Sequence, residues 1–399
     1  MRNIKLVLIA VTALITVGIF MGYASLINEM KFPIDDGIKM YIFAVIIGGI
    51  VFAMIPLILS IKNNKIRNKK INISNLKEDI KFEETYNKIR EKYEYNLNKI
   101  RKKIRPITLV TILFAIIVGG FFGWMMFAKM NIEKYSEFIV SNELLIKTLP
   151  IASVLLFFVA FFFYSFKLSD YEKEYKNGVV ADIVKSVNSG LAYSRRYENF
   201  GESPIELYTR ASFDTNYFNS SKMEDFINGK LTDKLTVAIE ELKLRHIIKR
   251  GKNRKSIDVF NGLFIHVQGI DKFNGIIKIL NNNNKISGIS KQDLTEVKMD
   301  SSEFERTFNV YANDPVTAMR ILTSDIMQKM VEFETRLGIH YEVVICGSEI
   351  FMRFFTTELF EPAIFNESKE KDRVRAYYEI INLITDISIE LDKTIVEIP

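Results

Sequence analysis

The sequence predicts an α+β domain carried behind four transmembrane α-helices arranged as two hairpins. Three observations predict it. Four runs free of Asp, Glu, Lys and Arg lie near the N-terminus: Leu6–Ile27, Met40–Ile61, Ile107–Ala128 and Thr148–Phe166. The segment between the second and third runs is strongly basic. Beyond about residue 230 the apolar period shortens to two, and strands cluster between helices instead of alternating with them, which is the α+β pattern.

A mean hydropathy of +0.08 in a chain that is 26% charged means that apolar and polar stretches are segregated. A 22-residue run is roughly 33 Å long as a helix, enough for a hydrocarbon core of about 30 Å. This pattern argues against an ordinary soluble enzyme. The first run is longer than the apolar stretch of a signal peptide and a second follows closely, so it reads as an uncleaved helix. The single cysteine, Cys346, permits no disulfide framework within the chain.

Charge sets the expected topology. Lys62–Arg105 carries 15 Lys/Arg against 6 Asp/Glu, a net of +9, while the whole chain is +6, so the remainder nets to −3. A basic excess confined to one connection is the positive-inside signature of a cytoplasmic segment. The flanking connections are short and balanced. The expected organisation is therefore a transmembrane hairpin over 1–61, a cytoplasmic basic helical segment over 62–106, a second hairpin over 107–166 and a cytoplasmic domain over 167–399. Localisation follows as the inner membrane, multi-pass, with both termini cytoplasmic. The charge already has a topological cause, so nucleic acid is not expected as a partner.

The hairpins resemble each other: Ile15–Tyr23 aligns without gaps on Ile116–Trp124. Gly18 with Gly22, and Gly119 with Gly123, give the four-residue spacing that lets helices approach closely. Between the hairpins, Leu76, Ile80, Tyr86, Ile89, Tyr93, Leu97, Ile100 and Ile104 mark an amphipathic helix over about 75–105, running into the third apolar run. Its apolar stripe needs either the helix after the fourth run or another chain, and its cations can meet anionic membrane lipid.

Ser169 to Glu172 reads as a capping box opening a helix that ends near Val187, and Ser203-Pro204-Ile205-Glu206 opens another. Leu235, Val237 and Ile239 alternate as a strand. Asn261-Gly262 and Asn274-Gly275 read as turns. Phe308–Tyr311 is a strand, Asp314-Pro315 opens a short helix, and Thr323 caps a longer one closed by Gly338. His340–Cys346 and Glu349–Phe355 flank Gly347-Ser348 as a tight hairpin. A final helix covers about 369–395.

Here the residues carry a resemblance. Ser302-Glu-Phe304-Glu-Arg-Thr-Phe308-Asn-Val-Tyr311-Ala-Asn-Asp314-Pro-Val-Thr-Ala-Met-Arg320-Ile-Leu-Thr323 resembles the core motif of the bacterial family called domain of unknown function 3137. Asp225-Phe-Ile-Asn-Gly229, Phe260-Asn-Gly-Leu-Phe264 and Leu359-Phe-Glu-Pro-Ala-Ile-Phe365 support it, over about residues 82–399. The extra N-terminal hairpin and Pro315 depart from the family's plan. The resemblance implies membrane association and an α+β domain, and transfers no catalytic residue.

No residue pattern specifies chemistry. His246, His266 and His340 lie in separate strand segments, Cys346 closes an apolar run, and no phosphate-binding or nucleophile-elbow motif occurs. Asp314 is expected as a helix cap and Glu361 as a turn acceptor. No catalytic, cofactor-binding or metal site is therefore expected, and no cofactor. Lys249, Arg250, Lys252, Arg254 and Lys255 form a basic hairpin tip suited to an anionic surface. The expected role is that of a scaffold or sensor binding a protein partner, a second copy or anionic lipid. The alternatives are an accessory subunit of a transport or envelope-processing complex, and a membrane-bound hydrolase.

Overall fold

Alternating apolar side chains give each strand a face to bury, and nine strands pair into one antiparallel sheet. The protein, seen as a computed structural model, is described over residues 80–130, 159, 162–196, 202–213, 217–250, 253–272, 274–282, 294–356, 359–364 and 367–396. The strands are β1 (Leu191–Ser194), β2 (Ser220–Lys230), β3 (Thr236–Arg250), β4 (Asn253–Gln268), β5 (Ile276–Asn281), β6 (Thr295–Val297), β7 (Phe308–Ala312), β8 (Tyr341–Cys346) and β9 (Glu349–Phe354). Their order is β1-β2-β3-β4-β9-β8-β5-β7-β6.

Register explains how the sheet divides water from core. The row Tyr193, Ile227, Ile239, Ile265, Met352, Val343, Ile279, Val310, Val297 crosses all nine strands and lies on one face. That face is covered by α6 (Ser324–Leu337), whose Phe333 packs edge-on against Tyr341 and Phe354. Beside α6 lies α7 (Glu367–Val396), joined to it by Arg336–Glu379 at 2.8 Å.

On the opposite face, one residue along, the row is Ala238, His266, Phe351, Val344, Lys278, Tyr311. Here α3 (Pro204–Ala211) seats Tyr208 among Phe213, Phe260 and Phe264. Its capping box is complete: the Ser203 hydroxyl accepts from the Glu206 N–H, and Glu206 accepts from the Ser203 N–H. Short caps follow the sequence reading as well. Asp314 caps α5 (Pro315–Ile321) and Thr323 caps α6, while Ser301, which was not anticipated as a cap, opens α4 (Ser302–Thr307).

The described residues fall into two units, one within Asn98–Tyr171 and the other made of 80–97 with the chain from Glu172 onwards. In the first, Arg101 donates to the Tyr171 hydroxyl at 2.9 Å, and Ile104 is buried. In the second, the stretch of α1 (Ile80–Met130) up to Leu97 finds partners for its apolar stripe. Phe82 packs on Tyr378 of α7, Glu83 pairs with Lys371, and Arg90 with Glu370. Tyr93 donates to Asp182 of α2 (Ala181–Val187). The Tyr93 ring also fills the place where a side chain at residue 178 would stand, since a Cβ on Gly178 would lie 2.6 Å from it. The stripe thus meets the following helix, one of the two partners expected for it, and also meets α7.

Three expectations are corrected. Among the described residues no helix is long and apolar enough to cross a membrane, so the four transmembrane helices expected are not found there, and what is described is α+β with a nine-stranded antiparallel sheet. The physical reason lies in α7 and the first part of α1: both are long, but charges recur on them every few residues and each buries one face on its own unit. The first two apolar runs and most of the fourth lie outside the described residues, as do the side chains of 109–130. Ser169 opens no helix, because residues 162–175 are already helical and continue through a π-turn, Lys176–Val180. Asn261-Gly262 is no turn either, for it sits inside β4. The glycine is required there by close approach: a Cβ would lie 1.9 Å from the Phe354 carbonyl oxygen.

Candidate functional site

The two longest strands outrun their neighbours. β2 pairs with β3 only as far as Ser220↔Arg245, and β9 meets β4 only from Leu263↔Phe354 onwards. Past Arg245↔Asp258 no other described strand joins the β3–β4 pair, which continues through His246↔Ile257, Ile247↔Ser256, Ile248↔Lys255, Lys249↔Arg254 and Arg250↔Asn253. At about 3.3 Å per residue this ribbon stands roughly 15 Å beyond the sheet. Its base is fixed by a bulge between Leu244 and Arg245, which adds twist, and by the cross-strand ion pair Arg245–Asp258 at 3.0 Å.

The ribbon is where the expected anionic-surface contacts lie. Lys249 and Lys255 are exposed and cross-strand neighbours of Arg254 and Ile248. Arg250 and Arg254 occupy strand positions whose side chains lie outside the described residues, and Lys252 lies outside them altogether. Between His246 and Ile257 the chain has five cations and no carboxylate. Apolar side chains accompany them: Ile257 is 42% exposed, and Tyr217, 68% exposed, stands edge-on to His246. The helix-packing residues fare differently. Gly18 and Gly22 are outside the described residues, while Gly119 and Gly123 lie in α1 with no neighbour described.

Two buried clusters escaped the sequence reading. Lys176, in the π-turn, donates to Asp225 at 2.8 Å and Glu361 at 2.6 Å, with Glu172 at 3.4 Å. Asp225 stands at the β2 bulge with φ +52 and also accepts from the Tyr193 hydroxyl. Burial works against the lysine's charge, but the two carboxylates outweigh it and hold the ammonium above its usual range. Burial, and then Asp225, keep Tyr193 protonated far beyond the ordinary phenol. Burial raises the Glu361 carboxyl against the pull of Lys176. With two carboxylates on one ammonium, the cluster ties the π-turn to β2 and to the loop before α7 as an ionic latch. It also corrects the role expected for Glu361, which meets a cation where a turn N–H was anticipated.

The second cluster is Arg353, fully buried, with Glu342 at 2.6 Å and the Tyr208 hydroxyl at 2.6 Å, its guanidinium over the Phe213 ring. In the same cross-strand row stands Glu240, 2% exposed, whose two oxygens find no partner among the described residues. Burial alone pushes its carboxyl up to about 8.

The three histidines stay apart. His266 bonds Glu349 at 2.8 Å, and burial lowers its imidazole despite that carboxylate. His340 bonds Glu334 at 2.7 Å, and His246 faces Tyr217 on the ribbon. Cys346 is half-buried, its thiol raised by burial and then by Glu349. Asp314 accepts from the Val316 and Thr317 N–H groups, as a cap should. Among the described residues no group of His, Cys, Asp and Glu can hold a metal ion.

Residues 258–393 match the family described as protein of unknown function (DUF3137). The match is to this segment, not to the whole chain. It takes in β4 from Asp258 onwards and every later element of the sheet, about a third of the chain, against the wider span of 82–399 expected. The Ser302–Thr323 motif is therefore a matter of caps and core: Ser301, Asp314 and Thr323 end helices, while Phe304 and Phe308 are buried. Lys176, Asp225 and the ribbon tip fall outside the matched segment. No curated protein matches the chain. Among solved structures, the chain is similar to the mycobacterial trehalose monomycolate transport factor A at 9% identity and a TM-score of 0.27, over 51% of this chain and 95% of that one. A likeness of that size carries no argument about fold or function.

Proposed function

We propose that the protein is an interaction module that docks an acidic partner through the tip of its β3–β4 ribbon, in the manner of a scaffold or sensor. The observation that carries the reading is the ribbon itself: a two-stranded projection with five cations and no carboxylate between His246 and Ile257. A solvated turn needs neither the length nor the one-sided charge. Clustered cations on a low-dielectric projection raise the local concentration of anionic partners and speed encounter. The exposed Ile257 and Tyr217 supply the apolar contact that charge alone does not.

The test is fluorescence anisotropy of labelled poly-glutamate with the full chain, at low and high salt. Lys249→Glu with Lys255→Glu should weaken binding roughly tenfold or more, since close charge reversal costs over 1.4 kcal/mol. Wild-type binding should fall as salt rises. Equal binding by wild type and variant would overturn the reading.

A further inference from the structure

The geometry points to strand addition: we propose that the partner contributes an extended acidic segment that pairs along the outer edge of β4 in the ribbon. This rests on the docking role just proposed and specifies the partner and its mode of binding.

The two edges of the ribbon differ. On the β3 side the edge is already engaged. The Asn219 N–H donates to the Arg245 carbonyl at 3.0 Å. The Asn219 side chain closes the next position, its oxygen accepting from the Ile247 N–H at 2.7 Å and its amide donating to the Ile247 carbonyl at 2.9 Å. An antiparallel strand turns alternate residues to opposite sides. With 245 and 247 turned away from β4, residues 246, 248 and 250 bond their partners 257, 255 and 253. The peptide groups of 254, 256 and 258 therefore point outward on the β4 side. Pairing with β9 starts only at Leu263, so among the described residues no strand covers that edge from Asn253 to Phe260.

An open edge with regular outward N–H and C=O groups is a template for another strand. The charge on it selects the occupant. Cations on an edge strand repel strands of the same kind, and two ribbon tips side by side would bring two sets of five cations together. An acidic strand meets the reverse situation. On one face of the ribbon Lys255 and Ile257 are adjacent same-side positions, two residues apart. A segment alternating carboxylates with β-branched apolar residues can place a carboxylate near Lys255 and an apolar side chain near Ile257. An anionic bilayer could answer the charge, but it would leave the outward peptide groups without strand partners.

The test titrates full-length protein with a short labelled peptide alternating Glu and Val. A second peptide has the same sequence with alternate backbone nitrogens methylated, which keeps the charge and removes one bonding edge. The parent peptide should bind, the methylated one should bind roughly tenfold more weakly, about 1.4 kcal/mol, and phosphatidylglycerol vesicles should not displace the parent. Equal affinity for both peptides would overturn strand addition while leaving charge-driven docking intact. Binding to the vesicles with no binding to either peptide would make lipid the occupant and overturn the inference. Self-association of the protein alone that is lost in the Lys249→Glu, Lys255→Glu variant would make a second copy the occupant and likewise overturn it. Failure of every anionic probe to bind would remove the docking role as well.

Discussion

At Glu240 burial acts without compensation. Its carboxyl is raised to about 8 from an ordinary 4.5, with burial as the cause. The folded chain then holds a proton that the unfolded chain releases between those values. Stability is full below about pH 4.5 and falls as pH rises through about 8. Glu240→Gln should therefore match the wild type at pH 4 and exceed it at pH 9, by on the order of 5 kcal/mol. Parallel urea melts at the two pH values check this, and an unchanged difference would contradict it. The Lys176 latch makes the opposite prediction. Lys176→Met leaves Asp225 and Glu361 without their cation and should cost about 3–5 kcal/mol. Asp225→Asn, which tolerates the positive φ, should cost less, and the double variant less than the sum.

Elements show what the sequence made legible and what it hid. Caps were legible because a cap is local: Ser203, Asp314, Thr323 and Gly338 each act within four residues. The hairpin around Gly347-Ser348 was legible for the same reason. Gly262 misled because its need is tertiary: what excludes a side chain there is the Phe354 carbonyl of β9, 92 residues away. Gly262→Ala should lower stability by about 1–3 kcal/mol through overpacking, and a thermal melt reads it directly. The Lys176 latch was hidden similarly. Nothing local marks Lys176 in the sequence, and the carboxylates it meets come from a β2 bulge and a loop far along the chain. The partners of the histidines were likewise not legible, since His266 meets Glu349, His340 meets Glu334 and His246 meets Tyr217.

At the scale of the whole molecule, the apolar row across nine strands faces α6, and the opposite face carries buried polar groups beneath α3. Helices thus pack on both faces, and the basic ribbon extends past the described neighbours of β3 and β4. The sequence marked its cations but could not reveal that β3 and β4 outrun their neighbours, because strand lengths are set by pairing and not by composition. The central claim is that this projection is the docking element. Amide hydrogen exchange of the full chain, with and without a saturating acidic peptide, tests it most directly. The account predicts slowed exchange at residues 254, 256 and 258, with the central strands unchanged. Unaltered exchange there while the peptide is bound, or protection confined to another surface, would contradict it.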